Sequence, residues 1–170
     1  MSNSGAGMIT IDITIEAQSW GDSQRLRNLC EQATAAWCQR LGFETCDSEL
    51  SMVFTDDDHI RQINARWRRK DEATNVLSFP AFDIKIGETP GPMLGDIVLA
   101  HSIIEREAIA DHKTFDDHLT HLIVHGLLHL VGYDHEKSDD AETMEQIERD
   151  ILQSLAILDP YDVSIKAGNN

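Results

Sequence analysis

The stretch Asp96-Ile-Val-Leu-Ala100-His101-Ser-Ile-Ile-Glu105 is where the chain changes its repeat. Before it, strand patterns alternate with helical ones; after it only helical spacing recurs. Asp96 to Ala100 is predicted as a strand, followed by helices at about Ser102 to Asp111, Asp116 to Val131 and Asp139 to Leu158. Upstream, Val76 to Phe79 reads as a short strand stopped by Pro80, and Asp83 to Pro92 as a loop rich in Gly and Pro. Leu50 to Phe54 reads as a strand, and a helix is expected from about Asp57 to Arg66, with acids at its start and arginines at its end to complement the helix dipole. The clearest strand is the first, where Ile9, Ile11, Ile13 and Ile15 alternate with Thr10, Asp12, Thr14 and Glu16. Between these two strands, Asp22 or Ser23 can cap a helix carrying Leu26, Leu29, Cys30, Ala33 and Trp37, with Gly42 near its stop. The order βαβαββααα, with its strands confined to the first hundred residues, predicts an α+β fold: a small mixed β-sheet of about four strands packed against helices, not a doubly wound sheet.

The 170 residues fit one domain, which can bury roughly 70 % of the surface its unfolded chain exposes and needs no disulfide to fold. Residues 9–161 are expected to form that domain, with flexible ends at 1–8 and 162–170. Cys30, Cys38 and Cys46 form no C-x-x-C pair and are expected as buried thiols in a reducing cytoplasm. No apolar run approaches the roughly 18–20 residues that span a bilayer. With 14 Lys+Arg against 30 Asp+Glu the formal net charge is −16, which should repel DNA, anionic membranes and non-specific RNA. The charge is unevenly placed. Asp134 to Asp150 carries eight acids against Lys137 and Arg149, whereas Arg61 to Lys70 carries five bases and no acid. That basic run reads equally as a solvated helix face and, in so acidic a protein, as the place where a phosphate would go. Trp67, inside it, could stack on a base or pack into the core, and the core is the expected place.

The chemistry gathers in His125-Gly-Leu-Leu-His129-Leu-Val-Gly132-Tyr-Asp-His135. Residues four apart on a helix stand about 40° apart on one face, so His125 and His129 can converge on one ion. Gly132 can end the helix and turn the chain, carrying His135 back to the same ion. Three His ligands leave a fourth position for water or substrate, as a catalytic zinc site requires. His121 also lies four residues before His125, but it is about 12 Å along the helix from His129, too far to share a small ion. It is expected either behind the ligands or as a core neighbour. The same spacing occurs in metzincin peptidases, which carry a glutamate base after the first His. Here that position is Gly126, which cannot take a proton.

These segments resemble the YbeY family of bacterial endoribonucleases, also called rRNA maturation factors. His125 to His135 matches the family motif H-G-x-L-H-L-x-G-Y-D-H throughout. Ile63-Asn64-Ala-Arg-Trp-Arg68-Arg-Lys-Asp71-Glu-Ala-Thr74-Asn75-Val76-Leu77-Ser78-Phe79-Pro80 is similar to L-N-x-x-x-R-x-x-D-x-x-T-[DN]-V-L-S-F-P. Leu94-Gly95-Asp96-Ile97 and the ending Asp159-Pro160-Tyr161 extend the likeness over about Ile9 to Tyr161. Ala73 stands where many members have Pro, and Asn75 is the amide form of a position that is often Asp.

The resemblance implies a zinc-type ion, Zn2+ or another divalent transition metal, held by His125, His129 and His135, with Arg68 as the functional arginine. It also implies cleavage of single-stranded RNA, maturation of the 3′ end of 16S rRNA and a part in ribosome quality control. The implied partners are ribosomal RNA, the small subunit and ribosomal or assembly proteins. The mechanism expected is hydrolysis of a phosphodiester by a metal-bound water, with Arg68 binding the phosphate. Asp96 and Asp134 could each orient a histidine or a water; equally, they could be a strand-end cap and a turn carboxylate. The alternatives are a ribosome assembly factor whose metal is only structural and, against the Gly126 evidence, a zinc metallopeptidase.

Overall fold

The structure is a computed structural model that describes residues 7–161; the expected flexible ends fall outside the described residues except for Gly7 and Met8. Its core is a four-stranded sheet of β1 (Ile9–Ile15), β2 (Ser48–Thr55), β3 (Val76–Pro80) and β4 (Met93–Ala100), in the order β1-β2-β4-β3. β1, β2 and β4 are parallel, and β3 runs antiparallel on the edge beside β4. The helices are α1 (Ser23–Leu41), α2 (Asp57–Arg68), α3 (His101–Ala110), α4 (Phe115–Leu130) and α5 (Ser138–Ser154), with one 3-10 turn at Gln18–Trp20. The expected α+β order and the mixed four-stranded sheet are both present.

Local chemistry sets these boundaries. The Asp22 carboxylate accepts from the Gln24 N–H, and Gly42 closes α1 in the left-handed conformation. Asp56 and Thr114 do the same capping for α2 and α4, accepting from the His59 and Asp117 backbone N–H groups. Two of the boundaries that differ from expectation have a clear cause. β3 continues through Pro80, which a prolyl residue can do on an edge strand because no ladder partner needs its missing N–H. α5 stops at Ser154, four residues before Leu158. Ala156 there adopts a positive φ and turns the chain, so that Ile157 packs on the core and residues 159–161 fold back along α5.

Alternation along β4 sorts the helices into two layers. Ile97 and Leu99 face one side, where α1, α4 and α5 build the larger core; Val98 and Ala100 face the other, where they meet Ile60 of α2. α4 is the central helix, with Leu119, Ile123, Val124, Leu127, Leu128 and Leu130 all fully enclosed. A helix apolar on most sides is buried on most sides, so any polar group it carries needs an internal partner. The three cysteines are buried and unpaired, and burial pushes the Cys30 thiol up to about 12 and the Cys38 thiol up to about 11, which leaves both unreactive.

Candidate metal centre

His125 and His129 sit one turn apart near the end of α4, and Gly132 turns the chain beyond it. Gly132 has φ +101°, and a Cβ there would lie 2.6 Å from the Ile84 carbonyl oxygen, so both conformation and space demand glycine. The turn brings His135 back: one ring nitrogen from each of His125, His129 and His135 lies within 4.8 Å of the others.

The proton positions of the two helical rings follow from their partners. Nδ1 of His129 lies 2.9 Å from the Tyr133 carbonyl, which can only accept, and Nδ1 of His125 lies 3.0 Å from Oε2 of Glu148. Both rings therefore carry their proton on Nδ1, and both Nε2 atoms present lone pairs. Those Nε2 atoms are 3.0 Å apart. Two facing lone pairs repel unless a cation lies between them, and neutral imidazole nitrogens are the donors that zinc-type ions take. Burial, aided by the neighbouring His125 and His135 rings, lowers the His129 pKa to about 4, so the ring is neutral and ready to coordinate at pH 7. The residues present fit a divalent transition-metal ion.

Glu148 was hidden in the sequence. It is one of eight acids between Asp134 and Asp150, a run that reads as a solvated surface. In the fold it is 0 % exposed and sits within the apolar stripe of Met144, Ile147, Ile151 and Leu152. Oε1 accepts from His121 Nε2 and from the Tyr161 hydroxyl, each at 2.6 Å, while Oε2 accepts from His125. Burial alone would raise its pKa, but the hydrogen bonds from His121 and His125 hold the carboxyl down at about 2. The signal available was its register: an acid inside an apolar helical stripe must be buried with partners. His121 thus stands behind His125, bonded to the same carboxylate, and does not join the three-histidine group.

The three histidines open on a cleft of about 790 Å³ between α4 and the chain around β3, whose walls include Arg68, Asn75, Ser78, Phe82 and Asp134. Arg68 is the last residue of α2 and makes no ion pair among the described residues. Its placement depends on Asn64, which is buried. The Asn64 carbonyl accepts from the backbone N–H groups of Arg69 and Lys70, and its amide donates to the Glu72 carbonyl, tying the loop after α2 to the helix. Asn75 is fixed in turn, donating from Nδ2 to both carboxylate oxygens of Glu107 and accepting the Val76 N–H.

The other expected site residues part company here. Asp134 accepts the backbone N–H of His135 at 2.7 Å, the contact of a turn carboxylate, and it lies on the cleft wall. Asp96 is an exposed residue of β4 paired with Phe79, on the sheet face opposite Ile97 and therefore turned away from α4. Trp67 corrects an expectation: it is 65 % exposed, with the Arg66 guanidinium 5.1 Å from its ring centroid. Ile60 and Trp67 are seven residues apart and share a helix face, but Trp67 stands about two turns further along, in the last turn of α2, where it is exposed. Gly126 faces the sheet: a Cβ there would sit 3.0 Å from Ser78 Oγ and 3.1 Å from the Ile97 side chain. The position at which metzincins carry their base has no room for a glutamate.

Fold and site define a class: an α+β protein with three convergent imidazoles at the rim of an arginine-bearing cleft. The chain belongs to the endoribonuclease YbeY family, whose model matches residues 11–156. It is 54 % identical over 154 residues to Endoribonuclease YbeY of Bartonella henselae, covering 91 % of this chain and 98 % of that one. It is 50 % identical over 160 residues to the Endoribonuclease YbeY of Rhizobium leguminosarum bv. trifolii, covering 91 % and 94 %. The solution structure of TM1509 from Thermotoga maritima superposes with a TM-score of 0.55 at 26 % identity, over 91 % of this chain and 96 % of that one. Among the described residues no helix is long and apolar enough to cross a membrane.

Proposed function

We propose that this protein is a metal-dependent endoribonuclease that cuts single-stranded RNA, matures the 3′ end of 16S rRNA and serves ribosome quality control in the cytoplasm. The observation that carries the proposal is the meeting, in one cleft, of two Nε2 lone pairs 3.0 Å apart, a third histidine and Arg68, in a chain whose relatives are named endoribonucleases.

Zinc or a similar ion, held by His125, His129 and His135, supplies Lewis acidity, lowering the pKa of water and polarising a phosphoryl oxygen. The remaining work falls to the chain. Arg68 offers a planar fork of donors to the phosphate oxygens and stabilises the charge that builds on them in the transition state. The Asn64 tie after α2 keeps that guanidinium on the cleft wall, which limits the entropy lost in aligning the phosphate. Phe82, half exposed on the same wall, and the exposed Trp67, next to Arg68 in the chain, present aromatic faces of the kind on which unpaired bases stack. Such faces are useful for single strands and of no use for a closed duplex. With a net charge of −16, affinity for free RNA is weak, and the ribosome or an assembly protein presents the substrate.

Purified, zinc-loaded protein should cut a defined single-stranded RNA and spare its duplex. His129→Ala and Arg68→Glu should each abolish cleavage; activity retained in both refutes the proposal. Wild-type protein that carries zinc and binds pre-ribosomal particles yet leaves RNA intact would make it an assembly factor instead.

A further inference from the structure

Behind the histidines lies a polar cluster that phosphate chemistry does not touch. Glu148 Oε2 accepts from His125 Nδ1 at 3.0 Å, and its Oε1 is held at 2.6 Å by both His121 Nε2 and the Tyr161 hydroxyl. Tyr161 is itself anchored, since its backbone N–H donates to Asp159, whose carboxylate pairs with Arg149 at 3.1 Å. The partly buried phenol thus reaches α5 because the chain turns back at Ala156.

We infer that Glu148 is a positioning residue for the metal site: it fixes the His125 ring in the Nδ1–H tautomer, and His121 and Tyr161 lock its carboxylate in place. The inference rests on the three-histidine metal reading above. Imidazole in water favours the other tautomer, with its proton on Nε2, and in that form the atom facing His129 would be a donor and could not bind a metal. A fully buried carboxylate held by two further donors, His121 and Tyr161, cannot swing away, so His125 keeps one orientation before metal arrives. Its negative charge, one ring from the ion, also strengthens His125 as a ligand. α5 and the turn at 159–161 are thereby wired to a ligand on α4. They supply no ligand themselves.

A distinct role for Glu148 requires a readout other than RNA cleavage. The full chain, stripped of metal, is titrated with Co2+ and followed by visible absorption, at a temperature where circular dichroism shows each variant folded. Glu148→Gln keeps the volume but removes the charge, and it is expected to weaken cobalt binding roughly 10- to 100-fold. Cobalt affinity within twofold of wild type overturns the inference while leaving the nuclease reading standing. Wild-type protein that takes up no cobalt overturns both. Long-range 1H–15N spectra of the metal-free wild type, which need no variant to fold, should show His125 protonated at Nδ1; an Nε2–H ring there overturns the inference.

Discussion

The end of α2 and the length of α5 carry the two strongest charge runs in the chain, and the fold treats them in opposite ways. At the end of α2 the bases stay in water: Arg66 lies over an exposed Trp67, Arg68 lines the cleft, and among the described residues only Arg61 of the five pairs with an acid, Asp71 at 2.8 Å. On α5 most acids are likewise solvated, but Glu148 is taken fully inside and given three hydrogen-bond donors. The exposed cations act by being available to a polyanion. The buried anion acts by being unavailable to water, because a carboxylate inside a protein is costly to break and therefore holds its partners rigidly.

The largest expected effect lies on the basic side. Reversing Arg66, Arg68 and Arg69 together should abolish RNA binding at moderate salt, and the residual binding at low salt should have a salt slope shallower by roughly 2, as three lost phosphate contacts require. Reversing the exposed acids Asp139, Asp140 and Glu142 should leave binding intact or raise it. Filter binding across a salt series checks both, and the opposite ranking would break the comparison. Arg68→Ala alone should lower the cleavage rate by about 10² to 10³ with little change in stability.

Next comes the buried acid. Glu148→Ala strands His121, His125 and Tyr161 and should cost about 3 to 5 kcal/mol, whereas Glu142→Ala on the same helix should stay within about 0.5 kcal/mol. Urea denaturation of the metal-free proteins measures the contrast; equal costs would show that burial is not what separates the two acids.

A smaller effect is expected at Gly126. Gly126→Ala brings a Cβ against Ser78 and Ile97 and should cost on the order of 1 to 3 kcal/mol in urea denaturation of the metal-free protein.

The smallest concerns pH. Burial lowers the pKa of His118 below its ordinary 6.5, against the pull of Glu107, to which its Nε2 donates, and with help from Lys113 and His121 nearby. Below about pH 6.5 the unfolded chain takes a proton there and the folded one does not, so stability falls as pH drops through that point toward the lower folded pKa. His129, held near 4, adds to the same slope. Melting temperatures of the metal-free protein between pH 7.5 and 5.5 should decline, and His118→Asn should flatten part of that decline.

Elements whose signal is local were legible in the residues. The alternating isoleucines of β1, the caps at Asp22 and Gly42, and the His125, His129, Gly132 and His135 spacing all act within a turn or two of chain, so pattern alone places them. What escaped depends on contacts distant in sequence. Glu148 meets His125 from 23 residues away and His121 from 27, and nothing near it says that α5 packs on α4 with that face. Trp67 shares the helix face of the buried Ile60, yet it stands about two turns further along, exposed in the last turn of α2, which apolarity alone does not reveal. The early end of α5 answers to the docking of Ile157 and Tyr161, again a tertiary demand. Asp96 matched a motif, yet strand alternation puts it on the face away from α4.

The central claim is that RNA cleavage belongs to a metal held by these three histidines. Metal analysis and an RNA-cleavage assay on a single batch, with His125→Ala purified in parallel, test it most directly. The account predicts close to one zinc-type ion per wild-type chain with cleavage of single-stranded RNA, and in the variant neither metal nor cleavage. A metal-free His125→Ala protein that cuts RNA as fast as wild type would contradict it.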